Sequence, residues 1–185
     1  MALAGAALTM VVSACGGPTG SPGPAATISS PGVARLTVSS LELQSGRFPT
    51  DETCSGANHA PNVEWSGVSA DAGAIALELV DHDAPGGSFT HWLVFVDNAG
   101  IPGRLMSSAN NTVQGSNSFG RVGYGGPCPP AGQTHHYHLV VTALSRPLGT
   151  AGAGLKAGFS RAQLEAAIQA DHIIARGELV ATYSR

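Results

Sequence analysis

The chain has 185 residues, 43% of them hydrophobic and only 11% charged, which suits one domain with a real core and leaves little room for two. A net charge of −3 with no Lys/Arg run excludes DNA and RNA as partners, because nucleic-acid binding needs a basic footprint. Twenty-five Gly and twelve Pro spread between short Val/Ile/Leu-rich segments exclude a helical bundle and predict a mostly β protein.

In chain order, residues 1–14 read as an export signal, since Ala2 to Val12 is an uncharged run too short to span a bilayer and ends in small residues. The stretch Val12-Ser13-Ala14-Cys15-Gly16 resembles a bacterial lipobox, in which the Cys becomes the mature first residue and carries lipid. A lipidated Cys15 would anchor the protein to the extracytoplasmic side of the cell membrane without a spanning helix. No Lys or Arg precedes the apolar run, and an ordinary cleaved signal or a buried apolar N-terminus are the competing readings. Residues 15–34, dense in Gly, Pro, Ser, Ala and Thr, lack periodic apolar positions and predict a disordered tether. Residues 35–185 form the predicted domain.

Ordered structure is expected near Arg35, where Leu36, Val38 and Leu41 begin a strand-like pattern. Further strands are predicted over Asn62–Trp65, Ala74–Val80, His91–Val96, Tyr137–Leu144 and Glu178–Tyr183. Ala74–Val80 and Trp92–Val96 are almost continuously apolar and read as central strands covered on both faces. One helix is predicted after the capping box Ser160-Arg161-Ala162-Gln163, with Leu164, Ala167 and Ile168 at helical spacing and an end near Ala170 or Asp171. With Cys15 set aside, Cys54 and Cys128 are an even pair in an exported chain, which predicts either a disulfide or two buried thiols.

Polar chemistry gathers where these strands end. Asp81 and Asp83 follow an apolar strand at i, i+2, so in extended backbone both carboxylates would face one side. Such a pair can accept backbone N–H groups and order a loop, share a proton, or bind a hard cation; Asp before Ala-Pro-Gly-Gly is also plain turn chemistry. His91 and His135 each open a strand and could bring imidazoles to one rim, as anion donors, as bases, or as ordinary buried residues. Gly123, Gly125 and Gly126 could turn N–H groups toward an oxyanion or form a simple turn. Pro85, Pro127, Pro129 and Pro130 stiffen both loops, and Phe89, Trp92 and Tyr124 are candidate apolar walls.

Taken together, Cys54-Ser55-Gly56 with Val63-Glu64-Trp65-Ser66-Gly67, Asp81-His82-Asp83-Ala84-Pro85, His91-Trp92, Gly123-Tyr124-Gly125-Gly126-Pro127-Cys128-Pro129-Pro130 and Thr134-His135-His136-Tyr137 resemble the phosphatidylethanolamine-binding protein family. The resemblance runs from about Leu36 to the C-terminus and is nearest that family's bacterial branch, often called Raf-kinase-inhibitor-like proteins. It implies a central antiparallel sheet, a smaller sheet, a peripheral C-terminal helix and a small pocket for phosphate-like anions. By the same resemblance Asp81, His91, Gly125, Gly126 and His135 line the pocket, Asp83, Pro85, Pro127 and Tyr137 support it, and His172 completes the rim. The usual Asp-Pro-Asp stands here as Asp81-His82-Asp83 and the common His-Arg-Tyr as His135-His136-Tyr137, so a proline and a guanidinium are missing.

Two classes of function follow. The first is a non-enzymatic, envelope-anchored protein that binds a small anion or phospholipid head group, needs no cofactor, and modulates or inhibits a partner such as a protease or other exported enzyme. The second is a metal-dependent or acid/base hydrolase using Asp81, His91 and His135, although no nucleophile-elbow or His-Glu-x-x-His motif accompanies them. On the first reading, His91→Ala and His135→Ala should weaken binding and leave thermal stability nearly unchanged.

Overall fold

In the computed structural model, residues 33–97, 103–105, 112–149 and 152–185 are described. The export signal, Cys15 and the tether up to residue 32 lie outside the described residues. Among the described residues there are nine strands and one α-helix: β1 (Ala34–Arg35), β2 (Thr37–Ser39), β3 (Val63–Ser66), β4 (Ala74–Asp81), β5 (Phe89–Asp97), β6 (Gly103–Leu105), β7 (Val113–Gln114), β8 (Thr134–Leu144), α1 (Arg161–Gln169) and β9 (Ile173–Ser184). A 3-10 turn spans Thr50–Glu52.

The main sheet has the order β1-β9-β8-β4-β5-β7, antiparallel except where β1 runs parallel to β9. A smaller antiparallel sheet, β2-β3-β6, lies beside it. Every residue of β4 is buried, as expected for an apolar strand covered on both faces. Ile75, Leu77 and Leu79 enter the larger core with Trp92, Val94, Tyr137, Leu139 and Val141. Ala74 and Ala76 enter a second core with Leu93, Phe95, Leu144, Phe159, Leu164 and Ile168. Each fully buried Leu here contributes roughly 2 kcal/mol of transfer free energy.

Alternation along β8 sorts its residues. His135, Tyr137, Leu139, Val141 and Ala143 are buried, whereas Thr134 and His136 are exposed and His138 and Val140 half-buried. The helix starts as its capping box requires: Ser160 Oγ accepts from the Gln163 N–H and the Gln163 side chain accepts from the Ser160 N–H. Leu164 and Ile168, one turn apart, are its buried face.

Two expectations needed correction. Leu41 is exposed and lies in a turn, and the nearby core residue is Leu43. The last strand is twelve residues rather than six and runs back through Gly177, which has no side chain where the Leu36 backbone approaches and a Cβ would collide. The short β6 and β7 have no sequence signature; Gly103 holds its place in β6 because any side chain there would strike the Trp65 indole.

Candidate functional site

Antiparallel register assembles the site. Asp81 pairs with Phe89 on one side and Tyr137 on the other, so the end of β4 meets the starts of β5 and β8 at one rim of the sheet. A hollow of about 210 Å³ opens there. Its polar lining is Asp81, His91 and His135, and its walls are Ala84, Pro85, Phe89, Phe119, Cys128, Pro129 and Pro130. This volume is below the range of drug-sized ligand sites and suits a compact polar group.

His135 and Asp81, both nearly inaccessible, are joined Nδ1 to Oδ2 at 2.7 Å. The other oxygen of Asp81 accepts the Asp83 N–H at 2.8 Å, so the strand terminates in a side-chain-capped turn. That turn separates the two acids. Asp83 faces outward, accepting the His136 N–H and meeting His136 Nδ1, each at 2.8 Å, and these bonds hold its carboxyl below the usual carboxylate range. The expectation that both carboxylates face one side therefore fails: the extended backbone ends at Asp81, and neighbouring residues His135 and His136 point to opposite faces of β8.

His91 Nδ1 lies 2.6 Å from the Gly125 carbonyl oxygen. A carbonyl only accepts, so Nδ1 carries the proton, and burial lowers the tendency of the ring to take a second one. With that proton on Nδ1, the ring offers Nε2 as its acceptor nitrogen. Phe89, Phe119 and Tyr137 pack against this imidazole at ring separations of 5.0, 5.7 and 5.2 Å.

The glycine loop does not cradle a ligand with its amides. Gly123 N–H donates to the Gly115 carbonyl, Gly125 N–H to the His91 carbonyl at 2.9 Å, and Gly126 N–H to Asn58 Oδ1 at 2.7 Å. Gly125 and Gly126 are glycine for space: a Cβ on the first would meet the Phe119 ring, and on the second the Glu52 carbonyl and Asn58. Pro127 supports the loop by accepting the Cys54 N–H. Gly125, Gly126 and Pro127 thus hold the pocket wall from behind rather than lining it.

Tyr137 lies beneath the pocket, fully buried, with its hydroxyl lacking a protein partner and its ionisation driven above the usual phenol range by burial. His172 is not at the rim. Its carbonyl accepts the Ser145 N–H just past the far end of β8, about 30 Å of strand away from His135. Trp92 and Tyr124 are core rather than wall: the indole N–H donates to Gln114 and the rings pack edge to face. Phe119 also lines the hollow, and an isolated Phe in Ser-Asn-Ser-Phe-Gly carries no periodic signal that points to it.

Cys54 and Cys128 are bonded, with Cα atoms 5.4 Å apart, and this bridge fastens the wall loop to the segment after the 3-10 turn. Beside it Glu52 is 5% exposed and one carboxylate oxygen has no partner. Burial, with the charges of Glu42 and Asp51, pushes its carboxyl up to about 7. The raised value means that Glu52 costs nothing below about pH 4.5, where it is neutral folded or unfolded, and costs most above pH 7, where folding must bury a charge. Stability should fall by on the order of 3 kcal/mol between pH 4.5 and 8 from this residue alone. Urea unfolding of Glu52→Gln at pH 5 and pH 8 should show that decline reduced relative to the native chain.

His91 and His135 are 2% and 3% exposed, so the expectation that alanine at either position leaves stability untouched does not fit their burial. The metal-dependent form of the hydrolase reading has no support: among the described residues no three His, Cys, Asp or Glu side chains are set to share a metal ion.

Residues 39–184 match the family model described as phosphatidylethanolamine-binding protein. A UPF0098 protein of Pyrococcus horikoshii is 39% identical over 158 residues, covering 81% of this chain and 77% of that protein. LppC of Mycobacterium tuberculosis H37Rv, provisionally named a lipoprotein, is 39% identical over 175 residues, covering 82% and 84%. The crystal structure of Escherichia coli YbcL, described as a member of the mammalian PEBP family, superposes with a TM-score of 0.71 at 31% identity, covering 82% of this chain and 99% of that one. The family model spans residues 39–184 and the structural match agrees with it, and the chain belongs to the phosphatidylethanolamine-binding protein family.

Proposed function

We propose that this binding protein takes a small phosphate-type anion or phospholipid head group into the hollow bounded by Asp81, His91 and His135. The observation that carries the reading is the meeting of the buried Asp81–His135 pair with the acceptor Nε2 of His91 inside walls of Phe and Pro. Asp83, Pro85, Gly125, Gly126, Pro127 and Tyr137 act by positioning these groups.

With no Lys or Arg among the described residues of the lining and the N–H groups of Gly123, Gly125 and Gly126 already engaged, a proton mediates anion binding. Either the ligand brings it, as a phosphate monoester does below its second pKa of about 6, or His91 gains it. Both routes strengthen binding as pH falls. Calorimetric titration with phosphoethanolamine should give an affinity at least about fivefold tighter at pH 5.5 than at pH 8, and His91→Ala should flatten that dependence. Equal affinity at both values in the native chain would rule out His91 as the ligand contact.

The protein acts without catalysis, at the outer face of the cell envelope, tethered by lipid on Cys15 through residues 15–34, and modulates a protein partner there such as a protease or other exported enzyme. Kinship with LppC and the Cys54–Cys128 bond, which belongs in an oxidising compartment, support that location. Intact-mass measurement of protein extracted from membranes should show lipid on Cys15, and Cys15→Ala should move the chain to the soluble fraction. An unmodified Cys15 in the membrane fraction would end this assignment.

A further inference from the structure

We propose that His82 and His138 form a second site, apart from the pocket, that binds one divalent transition-metal ion on the side of β8 opposite the pocket, near its start. His138 points away from the core side of β8, opposite in sense to Tyr137 and Leu139, and its ring is 5.0 Å from that of His82 with planes at 70°. Asp81 and His135 lie behind the strand from this face.

Both rings are already oriented by their inner nitrogens. His138 Nδ1 meets Glu178 Oε1 at 2.6 Å, and His82 Nδ1 meets Ser88 Oγ at 3.0 Å. The only ring nitrogen left on each is Nε2. A carboxylate or hydroxyl on one nitrogen fixes the tautomer and turns the other into a ligand, the usual outer-shell arrangement of metal-binding histidines. Spacing agrees. With metal–nitrogen bonds of about 2.0 Å, ring centres lie about 3.2 Å from the ion, and bond angles of 90–110° place two centres about 4.5–5.2 Å apart.

Imidazole nitrogens select zinc, nickel and copper over calcium and magnesium, and the order of stability places Cu²⁺ above Ni²⁺ and Zn²⁺. Water completes the coordination, since among the described residues no third His, Cys, Asp or Glu is arranged to join. The Glu178 carboxylate supplies a compensating charge one atom shell away.

The test uses the metal-free full-length chain titrated with ZnCl₂, NiCl₂ and CuCl₂, read by calorimetry and by the imidazole proton resonances with Zn²⁺. One equivalent should bind, Cu²⁺ most tightly, and Zn²⁺ should shift the rings of His82 and His138. Either His82→Ala or His138→Ala should weaken binding at least tenfold, Glu178→Gln severalfold, and His172→Ala not at all. Absence of binding, unchanged binding in the first two variants, or shifts centred on His91 and His135 instead would overturn the proposal. Thermal melting of each variant without metal shows that a loss is not unfolding.

Discussion

Replacing both Cys54 and Cys128 by Ser should lower the melting temperature by about 10 °C. The bond spans 74 residues of sequence, and a cross-link of that reach removes chain entropy from the unfolded state worth about 4 kcal/mol. At about 2–4 °C per kcal/mol for a domain of this size, the shift is easily read in a thermal melt. Function should suffer too. Cys128 itself lines the hollow and shares its loop with Pro129 and Pro130. Without the bridge, that loop is held to the opposite segment by three hydrogen bonds: Cys54 N–H to the Pro127 carbonyl, Gly126 N–H to Asn58 and the Tyr124 hydroxyl to the Glu52 carbonyl. Phosphoethanolamine affinity should therefore weaken severalfold under reductant. A melt that moves less than about 2 °C would mean that those hydrogen bonds alone fix the wall.

Asp81→Ala should destabilise the fold by about 3 kcal/mol while abolishing binding. The side chain is 4% exposed, and its loss orphans the His135 ring nitrogen and the Asp83 N–H together. His135→Ala should cost a comparable amount, because it strands the buried Asp81 carboxylate with a single donor. Each variant leaves the other partner uncompensated, so the double variant should cost clearly less than the sum of the two. Chemical denaturation of the four chains gives the coupling directly. Additive losses would show that Asp81 and His135 stabilise the rim independently, contrary to their 2.7 Å contact.

Much of the scaffold was legible because it rests on local periodicity. The continuous apolar runs of β4 and β5, the alternation of β8 and the capping box before α1 all encode burial within a few residues of themselves. Long-range pairing is different. β6 and β7 exist only because β3 and β5 offer them edges, and the place of Gly177 within β9 is set by the Leu36 backbone that needs its space.

The site divides along the same line. Asp81, His91, His135 and Pro85 could be named from residue type at strand ends, since polar side chains at the close of apolar strands must emerge at a rim. Which hydrogen bonds they make could not. Asp83 is turned outward by a one-residue change of direction, the loop glycines spend their N–H groups within the fold, and His172 lies at the opposite end of a strand about 30 Å long. Sequence by itself determined the strands, the helix and the chemical kinds present at the rim, because those follow from periodicity and turn chemistry. Tertiary structure alone decided which donors and acceptors were already satisfied, because a hydrogen bond between residues as distant as Gly126 and Asn58 depends on register, not on neighbours in the chain.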